Sequence, residues 1–150
     1  NYIDFKYLKN PGGPSRPGEQ LLRSVAYTGK VALAGQSASH VPFAELVFNY
    51  LEVPAVRSWF SGTEVWRTRR LSSVNSLNGS HSLRNYRLGY EGAPSGRDSV
   101  VLRTITECSS ASSSAVCLEP TIFNWSPVQQ QFESPRLLRR PFRLSHAAMA

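Results

Sequence analysis

The stretch VRSWFSGTEVWRTRRL, residues 56–71, constrains the fold more than any other part of the chain. Two runs rich in Val, Trp, Phe and Thr meet at Ser61-Gly62, a dipeptide suited to a tight turn. That combination reads as a β-hairpin. Similar signals recur on both sides of it. Leu21, Val25, Tyr27, Val31 and Leu33 alternate with Leu22, Ser24, Thr28 and Lys30, the period of a half-buried strand, with a bend available at Gly29. Residues 83–90 (LRNYRLGY) and 98–107 (DSVVLRTITE) read as further strands. Residues 115–125 (AVCLEPTIFNW) read as the partner of 98–107, confined by Pro120 to an edge or a bulge. Residues 72–82 form a polar loop or a weak second hairpin about Asn78-Gly79.

One segment breaks the period. Phe43, Leu46, Val47, Tyr50 and Leu51 stand at i, i+3, i+4, i+7 and i+8, with Pro42 at a helix start and Pro54 beyond its end. This predicts a short amphipathic helix over about 42–52. The expected fold is therefore mainly β: an antiparallel sandwich or small barrel of six or seven strands with that one helix. An α+β arrangement is the alternative.

Composition agrees with a strand- and loop-rich domain. The 150 residues include 21 Ser, 10 Gly and 10 Pro, and only 3 Lys, so a helical bundle is disfavoured. A chain of this length ordinarily forms one domain and buries roughly 70% of its unfolded surface. The body of the domain is expected at 21–125. Residues 1–20 read as an N-terminal arm, whose first nine residues could form a short edge strand before the Pro/Gly-rich NPGGPSRPG. Residues 126–150 read as a C-terminal arm that needs a neighbour to lie on.

The two cysteines, Cys108 and Cys117, bracket a Ser/Ala-rich run at the neck of the loop joining two strands. The spacing permits a disulfide and equally leaves two free thiols, according to compartment. It does not suit zinc, which needs four ligands, or a CxxC redox site. His40, His81 and His146 are scattered and read as solvated groups. Ser37 and Ser39 beside His40 invite a serine-hydrolase reading, but the second Gly of a nucleophile elbow is missing. No phosphate-binding loop, dinucleotide fingerprint or paired-carboxylate motif occurs, so neither cofactor nor metal is expected, and no enzymatic activity. No apolar run approaches the roughly 20 residues of a membrane-spanning helix.

The charge is the strongest functional lead. The net charge is +7, carried by 14 Arg against 3 Lys. Arg67, Arg69 and Arg70 follow Trp66; Arg84 and Arg87 interleave with Tyr86 and Tyr90; Arg136, Arg139, Arg140 and Arg143 crowd the C-terminal segment. Guanidinium forks hold phosphate or carboxylate, and aromatic rings stack on bases. The leading expectation is a non-catalytic structural subunit of a large assembly, of viral coat type or a ribonucleoprotein component. Its partners would be other protein subunits, with the Arg clusters contacting either RNA or DNA or the acidic surfaces of neighbours. Three alternatives stand beside it. One is an accessory subunit of a protein-only organellar or membrane-associated complex. Another is a secreted β-sandwich binding module with Cys108–Cys117 bridged and Asn78 glycosylated in its Asn78-Gly79-Ser80 sequon. The last is a small serine hydrolase.

Overall fold

The computed structural model describes residues 1–32, 34–35, 40–92 and 100–126. They form seven strands: β1 (Tyr2–Lys9), β2 (Gln20–Gly29), β3 (Ala44–Phe60), β4 (Thr63–Asn78), β5 (His81–Gly92), β6 (Val100–Cys108) and β7 (Thr121–Ile122). Each pairs antiparallel with the next, so spatial order equals chain order in one open sheet. Among the described residues there is neither a second sheet nor closure into a barrel.

Local chemistry sets the hairpins. Phe60 faces Thr63 across Ser61 (φ 48°) and Gly62 (φ 77°). Two central residues at positive φ match the twist of the flanking strands. At the next turn Asn78 faces His81, with Gly79 at φ 57° in the first central position. β7 begins immediately after Pro120 and pairs through two residues only, as an edge strand.

The helix expected over 42–52 is not formed; this segment enters β3 at Ala44. Its apolar residues satisfy both periods, and alternation wins because both flanks supply partners. Val25 and Ser76 bracket Leu46, while Ser24 and Asn75 bracket Val47. Pro54 marks a bulge instead of a helix end. Pairing skips from Glu52–Arg69 to Val56–Arg67, leaving Val53, Pro54 and Ala55 opposite Thr68.

The register gives the sheet two chemically distinct faces. Phe5, Val25 and Leu46 align on one face, as do Phe48, Val74 and Tyr86, and then Leu88 with Ile105. On the opposite face Ser24, Val47, Asn75, Asn85 and Cys108 form one row, and Asn49, Ser73, Arg87 and Thr106 the next. Among the described apolar side chains only Cys108 is buried (1% exposed); Phe5 and Tyr86 remain exposed. The core expected of a chain this long is thus missing from the described residues. A single layer has nothing to pack its apolar face against.

Beyond a central block the strands part, and side chains take over the backbone bonds. β2 leaves β3 after Ser24–Val47, and there the Tyr50 hydroxyl donates to the carbonyl of Leu22 at 2.8 Å. β5 leaves β4 after Arg87–Ser73, and there the Tyr90 hydroxyl donates to the carbonyl of Leu71 at 2.8 Å. The third such bond lies at the Pro54 bulge. The Glu19 carboxylate, 6% exposed, accepts from Thr68 N–H (2.9 Å), Thr68 Oγ1–H (2.6 Å) and Arg69 N–H (3.1 Å). The loop that carries Glu19 is held down further by Trp66 N–H donating to the carbonyl of Pro17 at 3.1 Å. Gly18 permits this approach. It sits at φ +89°, and a Cβ there would meet the Val65 backbone at 3.2 Å.

Replacing Glu19 by Ala leaves the buried Thr68 group unpaired, and the expected cost is about 3 kcal/mol in urea unfolding. Glu19→Gln keeps one carbonyl acceptor and is expected to recover most of that loss. Tyr50→Phe and Tyr90→Phe are each expected to cost about 1 kcal/mol. Burial raises both phenols above their usual value, with the nearby Arg70 charge partly offsetting it at Tyr90. A raised folded-state pKa means that this stability is fully present below the unfolded value of about 10 and is lost as pH rises through the folded one. Alkaline titration of stability should therefore fall less steeply in the double Phe variant.

Candidate functional site

The outer half of the β3–β4 hairpin positions the first arginine cluster. Arg67, Arg69 and Arg70 line one hollow of about 200 Å³ together with Val53, Pro54, Val56 and Val100. The bulge at Pro54 opens this hollow by displacing three residues of β3 from their rungs. The three side chains are not equivalent. Arg69 pairs with Glu52 at 2.9 Å. Arg70 lies over the Tyr90 ring, 5.0 Å from its centroid. Arg67 is exposed and meets no described carboxylate within 4.0 Å.

β5 sends its two arginines to opposite faces. Arg84 shares the apolar face with Ser76 opposite it and pairs with Glu107 at 2.9 Å. Arg87 stands on the polar face opposite Ser73. Its Nε donates to Asn85 Oδ1 (3.2 Å) and its second nitrogen to the carbonyl of Ser112 (2.6 Å), both neutral acceptors. Arg87 therefore keeps its full charge among Asn49, Ser73, Asn75 and Thr106. Arg136, Arg139, Arg140 and Arg143 lie outside the described residues, as do Ser37, Ser39 and His146. His40 bridges Lys30 through the backbone, and His81 closes the β4–β5 turn.

Cys108 and Cys117 are joined in a disulfide. Their backbones also form an isolated bridge, extended by Ser109 N–H to Val116 O (2.9 Å) and Leu118 N–H to Glu107 O (2.8 Å). The bond closes the neck of loop 109–116, and Arg87 holds that loop down at Ser112. Asn78 is exposed at the β4–β5 turn.

Two contributors escape a reading of the sequence. Glu19 follows a Pro/Gly-rich run and carries no pattern of its own, yet it fixes the loop beneath the arginine hollow. Arg16, in the same run, stacks on Trp66 at 5.8 Å while Arg57 approaches that ring at 5.9 Å. An aromatic residue amid arginines is the only signal that could have pointed to this stacking.

Among the described residues no group of three His, Cys, Asp or Glu is placed to hold a metal ion. No described helix is long and apolar enough to cross a membrane. A comparison with models of protein families, with curated proteins and with solved structures gives no match.

The disulfide closes a short loop, and its removal in C108A/C117A is expected to cost about 2–3 kcal/mol by chain entropy. Thermal or urea unfolding of this variant against the oxidised parent measures it. Amides of 109–116 should exchange faster while those of β3 and β4 keep their protection.

Proposed function

We propose that the chain is a non-catalytic structural subunit of a large assembly, of viral coat type or a ribonucleoprotein component. The observation that carries this reading is the apolar face of the sheet, over which the described residues form no second sheet: Phe5, Val25, Leu46, Phe48, Val74 and Tyr86 stand on it in register, Phe5 and Tyr86 exposed and the other four half-buried. An antiparallel sheet can leave one face to water, but that face is ordinarily the polar one. An apolar face of this extent is what a subunit buries against a neighbour. β1 adds a second means of attachment. It is an edge strand with Ile3, Phe5 and Tyr7 exposed, so it offers a neighbour both unpaired backbone and apolar surface. Residues 1–20, expected as a free arm, are instead taken up by β1 and by the loop held on β4, so in this reading the outer edge of β1 and the C-terminal segment 126–150 dock on adjacent subunits.

The polar face and the hollow serve the other partner. Arg67, Arg70 and Arg87 lack described carboxylates, whereas Arg57, Arg69, Arg84 and Arg103 each have one. Unpaired guanidinium groups beside Asn and Ser side chains suit phosphates of RNA or DNA, or an acidic protein surface. The arginines of the C-terminal segment would extend the same surface.

Size-exclusion chromatography with mass and absorbance ratio at low and high salt tests the assembly. The expected outcome is a large particle, carrying nucleic-acid absorbance that high salt strips away. A free monomer without nucleic acid at low salt would overturn the reading. The logarithm of nucleic-acid affinity should fall linearly with the logarithm of salt. R67Q/R70Q/R87Q should flatten that slope by about 0.7 for each phosphate of a single strand that is no longer neutralised.

The disulfide favours a second reading, a secreted β-sheet binding module glycosylated at Asn78. Two free thiols in native material, or an unmodified Asn78, would set it aside.

A further inference from the structure

The tip of the β3–β4 hairpin leaves the rest of the sheet. β2 accompanies β3 in pairing only through Ala44–Val47, and β5 accompanies β4 only through Ser73–Asn78. The Glu19 loop follows the hairpin outward as far as Val65. Past that point two rungs remain, Trp59–Glu64 and Phe60–Thr63, closed by Ser61 and Gly62. Trp59 is 66% exposed and Phe60 76% exposed. As neighbours in a strand they point to opposite faces of the ribbon. The tip is therefore aromatic on both sides at once.

Behind the tip stands a basic collar. Arg57 is two residues from Trp59, about 7 Å along the strand, and Arg67 faces Val56 one rung further back. Arg16 lies over Trp66 beside them. Glu64 is the one carboxylate in this part of the ribbon, and Arg57 engages it at 3.4 Å. Three guanidinium groups thus stand behind the tip, and the one acid there is neutralised by Arg57.

We propose that this tip inserts into the surface of an anionic lipid bilayer, with the arginine collar at the headgroups. A protein groove takes one face of a strand, or pockets of fixed shape on both. A fluid interface covers both faces of a narrow tip without such shaping. The spacing suits it, since an interfacial element buries its apolar part by roughly 5–10 Å, and Arg57 stands about 7 Å behind Trp59. Trp is favoured at that depth, and Arg is drawn to acidic headgroups. The contact is superficial: it needs no membrane-spanning segment, and it shares only Arg67 with the proposed nucleic-acid surface, because Arg70, Arg87 and the polar face take no part.

Flotation of the full chain with vesicles of phosphatidylglycerol and phosphatidylcholine in equal parts tests this, with pure phosphatidylcholine as the comparison. The chain should float with the anionic vesicles at low salt and stay behind with the neutral ones. W59S/F60S should weaken binding on the order of tenfold or more, since two large apolar side chains lose their burial. Arg67→Gln should weaken it by about fivefold. Both changes sit on exposed side chains, and circular dichroism should be unchanged. In the unmodified chain, acyl-brominated lipid should quench tryptophan emission, a readout that needs no variant. Failure to float with anionic vesicles, or equal flotation of W59S/F60S, overturns the proposal. So does self-association that W59S/F60S abolishes without any vesicle present, which would make the tip a protein-docking element.

Discussion

The Glu19 carboxylate stands where the bulge interrupts the pairing of β3 with β4, and much of the outer structure depends on it. Pro54 supplies no N–H, and the bulge around it takes three residues off their rungs opposite Thr68. A buried backbone donor left there would cost as much as a lost hydrogen bond. Glu19 receives that donor, the Thr68 hydroxyl and the next N–H on the same carboxylate. In doing so it brings residues 10–19 against β4, which seats Arg16 on Trp66 and stiffens the root of the projecting hairpin. Tyr50 and Tyr90 answer the same demand at the two other places where strands part. The sheet can open into three diverging hairpins because side chains satisfy the backbone where the ladder no longer does.

Opening has a consequence for burial. Hairpins that diverge do not lay their strands over one another as a second layer, so in the described structure the row through Phe48, Val74 and Tyr86 is only half-buried at Phe48 and Val74 and exposed at Tyr86. Backbone pairing and the few side-chain staples then hold the shape. Hydrophobic burial, ordinarily the main driving force of folding, is small among the described residues, and in the proposed reading a partner supplies it. This argues for assembly from the direction of stability, independently of the charge. It also explains why polar groups, namely Glu19, Ser24, Thr68 and Asn85, make up the interior together with Cys108.

The hairpins are legible in the sequence because their information is local. Ser61-Gly62 and Asn78-Gly79 each place a turn between runs of strand-forming residues, and Pro120 foretells an edge strand. The segment 42–52 misleads because its signal is ambiguous at short range. Leu46, Val47, Tyr50 and Leu51 fit a helical stripe, and Leu46, Phe48 and Tyr50 fit a strand equally well. Only the flanking strands decide, and they lie far away in sequence. Glu19 is illegible for a related reason. Its partners are 49 and 50 residues distant, and nothing near it has a period. The arginine clusters are visible as composition, but their pairing is not. Which of them keep a free charge depends on where Glu52, Glu64, Glu91 and Glu107 fall in the register.

That pairing sorts the arginines by task. Arg69 and Arg84, each 2.9 Å from a carboxylate, are the least available to an outside anion. A new phosphate must displace the existing partner first, and exposed pairs of this kind contribute little to stability. Arg67 and Arg87 face no such competition. They also differ from each other: Arg87 is oriented by two neutral acceptors on a broad polar surface, whereas Arg67 stands free on a narrow ribbon behind an aromatic tip. Orientation suits a partner with fixed phosphate geometry, and freedom suits a surface whose charges are themselves mobile. The two arginines therefore differ in how firmly the structure holds them, one on the face of the sheet and one near the end of its longest hairpin.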